Sequence, residues 1–312
     1  MSESPPSQPS STKSRLVLWL VGLGVPMLLL LAWWPSGKPK ARPVLPNPNG
    51  YDYFVKAASN SPAGMWTNKS LSAVPEGDLR GFLAMNEASL NLLREGLRFP
   101  SVSHRYMDFD PSHKLRLGED LGPTKRVGVL LAGAGRLAEL EGTNSAALEG
   151  YVSAMRYGQE VSRRGVMIER LVGISVENLA LAQVRSLLPQ LMIADARHAL
   201  EQLHKLDASH DGPMVNLAAE AEWVRQSFSA WHRLMSNLHP RLRKDLREMH
   251  ENFATKVNDL QAARRRAIVE TAARLFELDM GRRPTGYADL VPAYFKAIPL
   301  DPTTGKEIAH PF

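Results

Sequence analysis

The sequence predicts an all-α protein. It is expected to carry an N-terminal transmembrane helix, a proline-rich linker, a multi-helix bundle of antiparallel hairpins and a short irregular C-terminal clasp with room for a small β-hairpin. Three observations support this. Residues 16–34 form an uncharged apolar run of nineteen. From Tyr51 to Leu278 the apolar residues recur at helical spacing. Prolines crowd both borders of that region, in PSGKPKARPVLPNPNG before it and at Pro284, Pro292, Pro299 and Pro302 after it. The chain thus divides into a tail (1–15), a transmembrane helix (16–34), a linker (35–50), a helical domain (51–278) and a C-terminal segment (279–312).

Residues 16–34 read LVLWLVGLGVPMLLLLAWW, with Lys13 and Arg15 before them and Lys38, Lys40 and Arg42 after. As a helix they span roughly 28 Å, close to the hydrocarbon thickness of a bilayer. Trp33 and Trp34 end the run, where indoles favour the headgroup boundary. A cleaved signal peptide has a shorter core and small residues at its cleavage site, whereas here bulky rings close the run. No face of the run is polar, which argues against a core helix. The lipid bilayer is therefore the expected partner of residues 16–34. Counting flanking Lys and Arg leans towards a cytoplasmic C-terminal domain. One early apolar segment behind a short Ser/Pro-rich tail leans towards a signal anchor that exports the remainder of the chain. The second is preferred: a single-pass protein whose C-terminal domain is periplasmic.

Of the net charge of +6, residues 1–34 supply +1, residues 35–42 supply +3 and the rest +2. The excess lies beside the expected membrane, where it can meet anionic headgroups. A nucleic-acid-binding domain would carry its charge in the globular part, so no nucleic-acid partner is expected. The chain has no cysteine, which removes disulfides, thiolate metal sites and cysteine nucleophiles.

Within the helical domain a short helix is expected over 51–58, then a loop over 60–73. Pro75 can open a helix whose face is Leu79, Phe82, Leu83, Leu90, Leu93 and Leu97. Residues 98–118 lack a period and read as a packed loop. A small-residue helix over 125–141, holding VGVLLAGAGRLAEL, stops at Gly142. Asn144 or Ser145 can cap the next helix, which reaches about Arg163. Gly165 breaks again, and 166–188 carries apolar residues all round, as a central buried helix does. The helix–glycine–helix rhythm suggests hairpins, but its spacing is too uneven for a tetratricopeptide array. Leu217, Ala221, Val224, Phe228, Trp231, Met235 and Leu238 form a heptad seam of coiled-coil type. After His239 and Pro240 a similar face resumes at Leu242, Leu246, Met249, Phe253, Val257 and Leu260. Two long amphipathic helices joined at a proline most simply fold back as a hairpin, with an extended strut as the alternative.

Beyond Leu278 the character changes. Tyr287, Leu290, Val291, Tyr294, Phe295 and Ile298 are expected to pack back on the helices. Asp301-Pro302-Thr303-Thr304-Gly305 has turn chemistry. Gly281, Pro284, Leu290, Val291, Pro292, Tyr294, Ile298, Pro299, Asp301, Pro302, Gly305 and Lys306 match a shared pattern of Gly-x-x-Pro, Leu-Val-Pro and Ile-Pro-x-Asp-Pro-x-x-Gly-Lys. This segment resembles the C-terminal part of type II secretion major pseudopilins and of many uncharacterised membrane-anchored bacterial proteins. The middle stretch EGTNSAALEGYVSAMRYGQEVSRRGVMIERLVGISVENLALAQV resembles the latter as well. The resemblance implies a membrane-anchored helical architecture only, and covers about 40 of 312 residues at the C-terminus; the location expected for the chain is the bacterial inner membrane. The N-terminus departs from it: the prepilin cleavage glycine and Phe-Thr-Leu-x-Glu are missing, which speaks against a filament subunit. Some pseudopilins bind calcium nearby, and Asp301 would supply one oxygen. Packing is the preferred account, because calcium wants six to eight oxygen ligands and few are at hand.

Chemical motifs are sparse. H-E-x-x-H, Walker A and G-x-S-x-G do not occur. Gly173, Ser175 and Glu177 approach the last without its second glycine. Gly133 and Gly135 imitate a dinucleotide loop without a preceding strand, so close helix packing explains them more simply. His198, Glu201 and His204 are spaced so that both histidines do not share a face, and a solvated surface is the simpler account. No catalytic, cofactor-binding or metal-ligating residue is assigned, and no cofactor is expected. Glu177 becomes a candidate functional carboxylate if it lines a cleft. The expected function is a membrane-anchored, non-catalytic scaffold that binds a protein partner of the cell envelope through an apolar helix face. The alternatives are an anchored hydrolase of unrecognised family and a component of a type II secretion-like or pilus-like system.

Overall fold

The computed structural model describes residues 44–62, 71–104, 116–227 and 239–309. The apolar run of residues 16–34, most of the linker and the second half of the first heptad seam lie outside the described residues. Among the described residues there are nine α-helices and no strand. They are α1 (Gly50–Asn60), α2 (Glu76–Met85), α3 (Glu87–Gly96), α4 (Arg116–Leu140), α5 (Asn144–Glu160), α6 (Met167–Leu187), α7 (Ile193–Ser209), α8 (Pro213–Ser227) and α9 (Pro240–Met280).

Asn49 starts α1 and anchors it. Its carboxamide oxygen accepts the Tyr51 N–H, and both ends of the amide bond the backbone of Val102, at 3.0 Å each. The single helix expected across 79–97 is two helices, broken at Asn86. The Asn86 side chain donates to the Phe82 carbonyl and accepts from the Ser61 hydroxyl, an alternative to the helical ladder. Helix α4 begins earlier than its sequence pattern suggests and holds Pro123 inside it. It ends as expected at Gly142, whose φ of 75° lies in the left-handed region.

Two glycine pairs set the centre of the bundle. A Cβ on Gly150 would lie 2.6 Å from the Gly135 Cα, so α4 and α5 touch backbone to backbone there. A Cβ on Gly173 would lie 2.1 Å from the Gly158 carbonyl oxygen, which fixes the crossing of α5 and α6. Gly135 is thus a packing residue at the crossing of α4 and α5.

Helix α6 is central, but it is not apolar all round. Asn178, Ala182, Arg185 and Ser186 form an exposed outer row, while Glu169, Arg170 and Glu177 point inward. Residues Met167–Gln190 are the one described stretch long and apolar enough to cross a membrane, and half of it is buried in the bundle. Its polar outer row and inward charges make it a core helix.

The heptad reading of α8 is corrected. The face that α8 buries contains Asn216 and Ala219, while Ala221 is exposed and Leu217 and Val224 only half-buried. Polar anchoring overrides the apolar period: the Asn216 amide donates to the carbonyls of Ser162 and Gly165, at 3.3 and 2.8 Å. Helix α9 has 41 residues, roughly 60 Å, and packs along α6 and α7 and against α8. Its seam is buried from Phe253 through Val257 and Leu260, but Leu242, Leu246 and Met249 are exposed. Gly281, at φ 68°, closes α9 with a left-handed cap.

The C-terminal clasp forms. Leu290, Phe295 and Ile308 join the main core, with Tyr287, Val291 and Tyr294 packed on it. Tyr287 donates its hydroxyl to the Ile308 carbonyl, which ties the clasp to itself. In place of a β-hairpin there is a single bridge between Leu300 and Glu307. The Asp301 carboxylate accepts the backbone N–H groups of Thr303 and Thr304, each at 2.8 Å, and Gly305 completes the turn at φ 68°.

Candidate functional site

The candidate carboxylate Glu177 lies in no cleft. It is fully buried, and its two oxygens accept Arg170 Nη1 and Arg264 Nη2, each at 2.6 Å. Arg264 also donates to the Leu206 carbonyl, and Gln159 bonds the same carbonyl at 2.9 Å. Burial by itself pushes the Glu177 carboxyl up, but Arg170 and Arg264 together hold it below the ordinary glutamate range. The side chains of Arg170 and Arg264 are as hidden as Glu177 itself, at 3% and 1% exposure. A fully buried ion triad that locks α6 to α9 is a structural device.

The other sequence candidates are scattered. Ser175 donates to the Val172 carbonyl at 2.8 Å, and Gly173 sits in the helix crossing. His198 faces Glu149 at 3.2 Å, Glu201 pairs with Lys205 at 2.6 Å, and His204 turns towards Tyr294. Burial lowers the His204 imidazole below its ordinary range. Arg197, Glu201, His204, Asp279 and Tyr294 border a shallow depression of about 490 Å³ between α7, α9 and the clasp. Tyr294 and Arg197 both meet the Asp279 carboxylate, at 3.0 and 3.8 Å. Among the described residues no group of three His, Asp or Glu is placed to hold a metal.

A more coherent site lies at the N-terminal end of α6. Glu169 accepts the Tyr51 hydroxyl at 3.0 Å, the Ser103 hydroxyl at 2.8 and 2.9 Å, and the Val166 N–H at 3.0 Å. This closes the start of α6 onto the point where the linker enters the domain. The Met167 N–H, one of the donors a helix start leaves without an intrahelical partner, is taken by Glu220 of α8 at 3.0 Å. Burial raises the Glu220 carboxyl above its ordinary range, and that N–H and His250 oppose the shift.

Beside this junction Met167, Ile168 and Leu171 of α6 face Met249 and Phe253 of α9 across a groove of about 530 Å³. Glu220, Asp245, Glu248, Asn252 and Lys256 form its rim. The floor is apolar and open: Ile168 is 41% and Met249 44% exposed. The pieces come from three helices far apart in sequence. The one sequence signal for it is the second heptad face, whose first half finds no covering among the described residues. No family model, curated protein or solved structure matches this chain.

Proposed function

We propose that this chain is a membrane-anchored, non-catalytic helical scaffold that seats a protein partner in the groove between α6, α8 and α9. The carrying observation is the groove itself, an apolar floor of Met167, Ile168, Leu171, Met249 and Phe253 inside a polar rim. An apolar floor with charged edges fits an amphipathic helix, which lays its apolar face in and keeps its polar face in water. The triad around Glu177 supports the same reading, since the carboxylate that the sequence singled out is fully engaged by Arg170 and Arg264 inside the core. The anchor at residues 16–34 would hold the groove near an inner membrane, on the periplasmic side.

The test is site-specific photocrosslinking in living cells, with the probe at Ile168, at Met249 and, as a control, at Asn178 on the outer row of α6. Adducts of one defined size at Ile168 and Met249, absent at Asn178 and abolished by Leu171→Asp, are expected. Equal labelling at all three positions, or none in the groove while the protein is inserted and folded, would refute the proposal. Protease added to spheroplasts checks the topology, and a fully protected domain would place it in the cytoplasm.

A further inference from the structure

A second surface stands at the same end of the bundle. Every residue from His239 to Asn252 is exposed, and burial begins at Phe253. The first part of α9 therefore runs on for roughly 20 Å beyond the point where the helix meets the core. This arm is amphipathic. Leu242, Leu246 and Met249 repeat at four and three residues, and Arg241, Arg243, Lys244 and Arg247 surround the first two, with Asp245 the only acid among them. Arg243 and Arg247, four apart, share one flank of the helix. Asp245 and Glu248 share the other and line the groove. Lys244 pairs with Glu248 at 3.6 Å, whereas Arg241, Arg243 and Arg247 make no ion pair among the described residues.

Position adds to composition. The linker enters at Asn49 and Gly50, and Tyr51 is bonded to Glu169 on the first turn of α6. Glu220 of α8 caps the residue two before it, Met167. Met167 in turn borders the same groove as Met249 and Phe253. The arm therefore projects from the end of the bundle to which the anchor is tied. A linker of residues 35–49 spans about 47 Å as polyproline II and at most about 54 Å fully extended, so an anchored chain keeps this end within that distance of the bilayer surface.

We infer that the exposed basic arm of α9 docks on the anionic headgroups of the membrane that anchors the chain, with Arg241, Arg243 and Arg247 on phosphates and Leu242 and Leu246 at the acyl boundary. Basic charge beside a short apolar stripe is the composition that an anionic interface attracts, and a second contact besides a membrane anchor fixes how the domain stands over the surface. The inference rests on the membrane-anchored reading of residues 16–34; the basic flank of Arg243 and Arg247 that it uses lies opposite the flank that borders the groove.

The test uses the full chain, reconstituted into vesicles of phosphatidylcholine alone or of equal parts phosphatidylcholine and phosphatidylglycerol. Amide hydrogen exchange is monitored over residues 240–252. Roughly tenfold slower exchange is expected with the anionic lipid only, reversed by high salt and by Arg243→Glu with Arg247→Glu. Both positions are exposed, so an unchanged thermal melt of the double variant shows that the fold is intact. Equal exchange in both vesicles overturns the proposal. Protection in both that scales with protein density also overturns it, in favour of a second copy of the chain. So does protection that arises only with an added protein. Carbonate-resistant flotation reads the anchor separately: a chain that washes off, yet is protected by added anionic vesicles, refutes the anchor and keeps the arm.

Discussion

Replacing Glu177 by glutamine tests the assignment of the buried triad as a structural lock. The variant keeps side-chain volume but removes the carboxylate that two buried guanidinium groups share at 2.6 Å each. The remaining acid is Asp207, 3.7 Å from Arg264 and partly exposed. Arg170 would have no acid within salt-bridge range among the described residues. Removing one partner from a buried ion pair costs about 3–5 kcal/mol, and the two pairs here share one group, so their costs do not add. A loss of about 4 kcal/mol is a large part of the roughly 5–15 kcal/mol that holds a typical domain together. With a urea dependence of about 3 kcal/mol per molar, the midpoint falls by roughly 1.3 M. Far-UV circular dichroism of the purified chain in urea reads this directly. The pH dependence has a definite sign. The folded carboxyl titrates below its unfolded value of about 4.3, so its stabilisation is fully present above that pH. It is lost as pH falls through the folded value, and Glu177→Gln should flatten that part of the acid limb. The apolar triple replacement Arg170→Met, Glu177→Leu, Arg264→Met should recover most of the loss, because no buried charge is left alone. A shift of the urea midpoint below about 0.3 M would refute the argument. If, in addition, groove crosslinking vanished with stability intact, Glu177 would be functional after all.

Other perturbations probe separate joints. Gly173→Ala would place a methyl 2.1 Å from the Gly158 carbonyl, where backbone and not a pliable side chain must move. A destabilisation of at least 1–3 kcal/mol is expected, about 2–4 °C in Tm for each kcal/mol, and an unchanged melt would refute the crossing. Leu290→Ala empties a fully buried site in the clasp and should cost about 2–5 kcal/mol. Hydrogen exchange should then rise over residues 285–309 before it rises in α6, and uniform loosening would show that clasp and bundle are one cooperative unit.

Much of the fold was legible because its signals are local. Gly142, Gly165 and Pro240 mark element ends, and the clasp residues Leu290 and Phe295 were recognisable from their pattern against a proline-rich background. The misses share a cause. Asn86 splits an apolar period with its own side chain, and Asn216 decides which face of α8 turns inward by bonding two carbonyls of the α5–α6 turn. Both are single polar residues satisfying backbone groups elsewhere, which an apolar count cannot register. Helix α6 misled in the opposite direction. Its inward Glu169, Arg170 and Glu177 dilute the pattern, and its outer row at Asn178, Arg185 and Ser186 is too thin to stand out.

The site was less legible because its parts meet only through tertiary contacts. Tyr51, Ser103 and Glu169 are drawn together from three segments to seal the start of α6, and Glu220 adds a fourth. That seal explains why the groove can remain open beside it. With the first turn of α6 held by side-chain acceptors, Ile168 and Leu171 need no covering helix to keep their place. The exposed half of the second heptad has its origin in the same geometry. Helix α9 meets the core only from Phe253, so Leu242, Leu246 and Met249 extend a buried stripe into solvent without changing its period. Among the described residues nothing buries this part of the stripe. Its burial is left to whatever the arm meets, as the proposed docking on anionic headgroups requires.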